Sequence, residues 1–246
     1  MRLFPVYSYW HLLSSLNCFA IFSPVRKNPH SHFHQTMNTT QDTNGENRVE
    51  IARRNVADKL GNHIGKPVFI RIFKEEAVLE IWVENACSAW SCVYQYPIAG
   101  MSGTLGPKLQ EGDQQAPEGF YRVYPQQLNP RSKYHLAMNI GYPNAYDQQC
   151  GRSGSFIMIH GGTSSQGCFA MTDAFIEEIY ILVESALNNG CPYIPVQIYP
   201  FRMTDDRMQQ MSNHPHFSFW QHLLPGYKFT ESHQAPYPDS DASFNA

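Results

Sequence analysis

The sequence predicts a mostly β fold of the α+β class, and three observations carry that prediction. Short runs dense in β-branched and aromatic residues recur from Pro67 onward, set apart by loops bearing glycine and proline. One long amphipathic helical pattern follows a Gly-Cys pair at Gly167-Cys168. Short helical patterns then close the chain. At 246 residues there is enough chain for one core, since a domain takes roughly 150 residues. Hydrophobic residues make up 42% and charged residues 16%, a globular balance. A net charge of −3 gives no electrostatic pull toward nucleic acid, so no nucleic-acid partner is expected.

Residues 1–36 read as a possible signal, anchor or untranslated leader. An apolar stretch from Leu3 is preceded by Arg2 and followed by Arg26-Lys27, but Tyr9, His11, Ser14 and Asn17 interrupt it. Residues 37–64 read as a linker and a lead-in helix. Val49, Ala52, Val56 and Leu60 have helical spacing, and Gly61 can end the helix. His30, His32 and His34 lie in a polar arm and suggest no more than adventitious metal. No metal site and no cofactor is expected.

Val68–Phe73 and Val78–Val83 are predicted strands, with Lys74–Ala77 as the hairpin tip. Cys92–Ile98 is a third. Gly100–Gly119 reads as a long loop. Gly119–Tyr124, His135–Ile140 and Ser155–His160 follow as strands, the last apolar enough to be central in its sheet. After Cys168, Asp173 is the expected N-cap of a helix that Gly190 closes. Pro195–Tyr199 returns as a strand. Thr204–Met211 and Phe217–Leu224 are short helices, and the tail is loose, with residues 229–246 outside the folded domain.

The segment Ile157-Met-Ile-His-Gly-Gly-Thr-Ser-Ser-Gln-Gly-Cys168 holds the chemistry. His160 ends a stiff strand, and a short loop of small residues leads to Gly167-Cys168. A thiol is a poor nucleophile until a base takes its proton, and an imidazole held nearby supplies that base. Gly167 leaves backbone N–H groups open beside the thiol, so Gly167 and Cys168 are the expected oxyanion donors. Against this stands a plain alternative of a buried thiol and a satisfied core histidine. The six cysteines leave two pairings open, Cys87 with Cys92 and Cys150 with Cys191, beside the alternative of free thiols.

The same segment resembles the catalytic signature of the L,D-transpeptidase (YkuD-type) family, and is closest to that family's YafK branch. Further matching stretches are Val68–Glu76, Gly106-Pro-Lys108, Glu111–Asp113, Ala116–Tyr121, Asn139–Asp147, Cys168–Asp173, Ile198–Asp205 and Leu224-Pro-Gly-Tyr227. The resemblance covers residues 65–228, the expected catalytic domain. It implies an L,D-transpeptidase-like β-sandwich or barrel with a helix after the catalytic Cys and short C-terminal helices. It also implies Cys168 as nucleophile, His160 as general base and acid, and peptidoglycan stem peptides as substrate, cut or joined at meso-diaminopimelate. Gln166 stands where the wider family has His, and Ala170 where many members have Arg. Both departures fit the YafK branch and imply hydrolysis of the link between peptidoglycan and an outer-membrane lipoprotein. The alternatives are a cross-linking transpeptidase, a secreted cell-wall effector and a non-catalytic wall-binding module. Lys108, Tyr142, Asn144, Tyr146 and Arg152 are the further candidates for substrate binding. Arg202 reads as a structural carboxylate partner. The expected location is the periplasm or cell envelope; a start at Met37 would remove the leader and leave the effector reading.

Overall fold

The computed structural model describes residues 43–238. The expected leader 1–36 and the histidine-bearing arm lie outside them. Helix α1 (Thr43–Leu60) begins earlier than the Val49 start read from spacing. Its Ala52, Val56 and Leu60 are buried, as the periodicity predicts.

Strands β1 (Val68–Phe73), β2 (Val78–Glu84), β3 (Trp90–Pro97), β4 (Gly119–Val123) and β9 (Ile194–Tyr199) form one sheet. Its order is β3-β2-β1-β9-β4, with β1 and β9 parallel. The second sheet runs β5-β6-β7-β8. It comprises β5 (Leu128–Asn129), β6 (Ala137–Asn139), β7 (Met158–His160) and β8 (Phe169–Ala170). The sheets stay separate and open, so the barrel alternative does not hold. The fold is a mixed α+β architecture of two sheets and flanking helices.

β1 is buried along its whole length, because the larger sheet is covered on both faces. Ile70 and Ile72 join a core with Ile159, Phe169, Ile176 and Leu182 from the second sheet and helix α3 (Asp173–Asn188). Phe73, on the opposite face, joins Tyr199, Phe201, Trp220 and Leu223. Alternate residues of a strand face opposite ways, so a continuous apolar run is what two covered faces require.

Helix α2 (Ala145–Gln149) was not anticipated, although Asn144 and Asp147 form a capping box across its start. Helix α4 (Asp205–Gln210) is capped by Thr204. Helix α5 (Phe217–His233) runs through Pro225, where the sequence suggested a stop and a loose tail. Tyr227 and Thr230 are buried beyond the proline, and Thr230 Oγ1 bonds Gln197 Oε1 at 3.2 Å. Burial thus overrides the local helix breaker, and the loose tail does not begin at residue 229. The five described cysteines, Cys87, Cys92, Cys150, Cys168 and Cys191, are free, so neither candidate pairing forms. No helix among the described residues is long and apolar enough to cross a membrane.

Candidate active site

β7 places the imidazole. It pairs antiparallel with β6 and parallel with β8, which sets Ala170 against His160 and Phe169 against Ile159. Cys168, one residue before β8, therefore stands beside Met158. Since side chains on one sheet face recur every second residue, Met158, His160 and Cys168 share a face. The amide of Met158 donates to Cys168 Sγ at 3.3 Å, and Sγ donates to Phe156 O at 3.6 Å.

His160 is buried, and its Nδ1 lies 2.6 Å from Gly161 O. A carbonyl can only accept, so Nδ1 carries the proton and Nε2 is left with the lone pair a base needs. The ring packs against Tyr134 in a tilted arrangement, 4.7 Å between centroids. Burial pushes the imidazole below its ordinary 6.5, partly offset by the Gly161 carbonyl. Burial pushes the Cys168 thiol above its ordinary 9.0, and the Met158 amide and the Lys108 charge pull it back only in part. Both shifts favour the neutral thiol and the neutral imidazole over an ion pair.

The loop between them is tied at both ends. Gly161 N–H donates to Tyr134 O and Leu136 O, and Gly162 N–H to Asp173 Oδ1 at 2.8 Å. A Cβ at Gly161 would lie 2.6 Å from both Asp173 Oδ1 and Tyr134 O, so only glycine fits behind the histidine. Asp173 thus holds the loop, and the helix N-cap is Thr172, whose Oγ1 accepts from Phe175 N–H. At the other end Gly167 has φ +79, a conformation that favours glycine. Its N–H donates to Ser102 Oγ at 2.6 Å, and Ser102 Oγ donates on to Gln114 O. One of the two expected oxyanion amides is therefore engaged by Ser102.

His160 and Cys168 line one cleft of about 330 Å³. Tyr134, Ala137, Phe156 and Met158 give it apolar surface. Ser132, Ser164, Ser165 and Gln166 give it hydroxyl and amide groups. A thiol beside a base with its tautomer fixed, in a polar-rimmed cleft, can carry out acyl transfer through a thioester.

Residues 69–198 match the L,D-transpeptidase catalytic domain (YkuD). The chain belongs to the L,D-transpeptidase family. YafK of Escherichia coli (strain K12) is 46% identical over 173 residues, covering 70% of each chain. YafK of Escherichia coli O157:H7 matches equally. Among solved structures, the helical cell shape determining protein Pgp2 of Campylobacter jejuni is 20% identical with a TM-score of 0.42. That likeness covers 61% of this chain and 55% of Pgp2. Bd1075 of Bdellovibrio bacteriovorus is 16% identical with a TM-score of 0.39, over 67% of this chain and 58% of its own.

The two candidate catalytic residues, His160 and Cys168, thus share the cleft, but the other candidates do not line it. Lys108 is buried, with Nζ 2.5 Å from Asp113 Oδ1 and 2.8 Å from Gln110 O. Tyr142 is buried, and its hydroxyl donates to Lys108 O at 3.1 Å. Asn144 caps α2 and donates to Phe120 O. Tyr146 stacks on Phe219. Arg152 pairs with Asp147 at 2.7 Å and lies over the Phe219 ring. All five are engaged by partners within the fold, and none is among the residues that line the cleft. Arg202 pairs with Glu80 at 2.7 Å, the structural role read from the sequence. Of the two family departures, Gln166 is exposed in the cleft lining, while Ala170 is buried and bridged to Gly100. Tyr134, Phe156 and Ser102 were not singled out from sequence. The exposed aromatics carry no spacing signal, and Ser102 reaches Gly167 only through the fold.

Proposed function

We propose that the chain is a peptidoglycan amidase of the cell envelope that cuts stem-peptide amides at meso-diaminopimelate, releasing attached lipoprotein or peptide. The observation that carries this reading is the His160–Gly161 bond, which leaves Nε2 as a base in the cleft that holds the Cys168 thiol. Cys168 Sγ attacks the carbonyl carbon as its proton passes to Nε2. The amine leaves with that proton as the C–N bond breaks, and a thioester remains. Water then attacks the thioester carbonyl, giving a proton to Nε2; the C–S bond breaks, the acyl group leaves as the carboxylic acid, and the proton passes from His160 to sulfur to restore the thiol. The Cys168 N–H is the proposed oxyanion donor, with Gly167 held in its left-handed turn by Ser102.

Hydrolysis is favoured over cross-linking because Gln166 and Ala170 depart from the wider family toward the YafK branch. A periplasmic location follows from the substrate. N-terminal sequencing of the native protein distinguishes an exported envelope enzyme from a protein starting at Met37.

The decisive experiment incubates purified sacculi with the protein and with Cys168→Ala. Release of peptide or lipoprotein is expected from the first and not the second, with a thioester adduct seen by intact-protein mass. Equal release by both would overturn the assignment of the nucleophile. New amides among the muropeptides would show transpeptidation, and binding without turnover a wall-binding module.

A further inference from the structure

Two aromatic rings stand in the cleft where burial does not explain them. Phe156 is 74% exposed and Tyr134 52% exposed, and both line the cleft with His160 and Cys168. A single exposed apolar side chain is ordinary. Phe156 is not ordinary, because its φ is +54. A bulky residue there is an outlier, whereas glycine or asparagine takes that conformation with little strain. The chain therefore keeps a strained, solvent-facing phenylalanine whose ring adds little to the core.

The backbone of the same residue touches the nucleophile. Phe156 O accepts from Cys168 Sγ at 3.6 Å, so the ring is carried by the very residue that contacts the thiol. Tyr134 is placed just as closely to the base, with its ring 4.7 Å from the imidazole. Each catalytic group thus has one exposed aromatic attached to its immediate surroundings. The rest of the lining is small or neutral: Ser164, Ser165 and Gln166 supply hydroxyl and amide groups, and no Lys, Arg, Asp or Glu is among the lining residues. Such a cleft recognises its ligand by aromatic faces and neutral dipoles, not by an ion pair.

We propose that Phe156 and Tyr134 grip the aliphatic stem of the diamino acid whose amide is cut, making Phe156 a substrate-binding residue. This rests on the peptidoglycan-amidase reading and names what in the cleft selects the substrate. The aliphatic stem covers the rings, while the hydroxyl and amide groups of Ser164, Ser165 and Gln166 meet its polar ends.

The test uses the full chain on a soluble muropeptide whose diaminopimelate carries an amide-linked peptide. Phe156→Ala and Phe156→Asn are expected to raise KM about tenfold with kcat held within about twofold, the pattern of lost ground-state binding. Phe156→Tyr keeps a ring and is expected to stay within about twofold of the unaltered protein. Phe156→Asn is expected to melt no lower than the unaltered protein, because the strain is relieved. Turnover by the unaltered protein with KM unchanged in the Ala and Asn variants overturns the grip and leaves the amidase reading standing. A fall in kcat alone also overturns it, since that places the effect in the backbone beside the thiol. A Tm drop in Phe156→Asn beyond about 4 °C overturns the argument that the ring is dispensable to the fold. No turnover by the unaltered protein overturns the amidase reading, and the grip with it.

Discussion

His160 and Cys168 are pushed in opposite directions by one cause. Burial disfavours charge on both, lowering the imidazole and raising the thiol. On the proposed mechanism, two groups held toward neutrality call for proton transfer that accompanies attack. The pH dependence follows from the sign. In the proposed mechanism neutral His160 is the active form, and burial holds its folded-state value below 6.5. The acid limb of kcat/KM is therefore expected with a midpoint below 6.5, and alkylation of Cys168 by iodoacetamide should rise toward a midpoint above 9.0. Full alkylation rate at pH 5 would instead show a standing ion pair. The same shift feeds stability. The unfolded chain binds a proton at His160 from about 6.5 downward while the native state resists it, so stability present above that pH is lost as pH falls through the lowered value.

At the scale of elements, local signals were legible where the fold asks for a local pattern. β1, β2 and β9 showed as dense β-formers because their sheet is buried on both faces. The nearness of His160 and Cys168 could be read from the sequence because His160 ends β7 and Cys168 directly precedes β8, its parallel neighbour, across one short loop. β8 was not, since two residues paired to β7 and bridged to Gly100 have no pattern of their own. Lys108 was read as a ligand-seeking cation because its partner, Asp113, is brought to it by a loop turn. Asp113 also accepts from the amides of Leu109, Gln110 and Gln115. Its own burial would raise its carboxyl, but those bonds and the Lys108 ammonium bring it down to about 2. Helix α5 was cut short in the sequence reading at Pro225, which nonetheless sits inside the helix on an exposed position. A proline there removes a helix hydrogen bond and crowds the preceding turn. Pro225→Ala is expected to stabilise the protein by about 1–2 kcal/mol, after allowing for the freer unfolded chain. Urea denaturation checks it, and a lower midpoint would mean that the proline itself is needed to seat Tyr227 and Thr230.

At the scale of the whole molecule, one buried carboxylate joins three parts of the chain. Glu118 Oε1 receives Lys74 Nζ at 2.9 Å and the Gly106 amide at 2.6 Å, while Oε2 receives Trp220 Nε1 at 2.8 Å. Lys74 continues to the carbonyls of Gly106 and Ala116, both 2.9 Å away. The end of β1, the long loop from Gly100 to Gly119 and helix α5 therefore share one polar knot. Both charges are almost wholly out of solvent. Burial lowers the lysine despite the neighbouring Glu118, so the pair gains less than its contact suggests. Removing one partner leaves a bare charge in a dry site, which costs about 3–5 kcal/mol. Glu118→Leu and Lys74→Met are each expected to lose that much. The double variant Lys74→Met with Glu118→Leu should recover part of the loss, because no unpaired charge remains. The knot also anchors the loop that carries Ser102 to Gly167, so the double variant should still turn over more slowly than the unaltered protein. Denaturant melts and sacculus release, measured on the same three variants, separate the two effects. Additive losses in the double variant would mean that the carboxylate and the ammonium act independently, and that the three parts are joined by their apolar contacts alone.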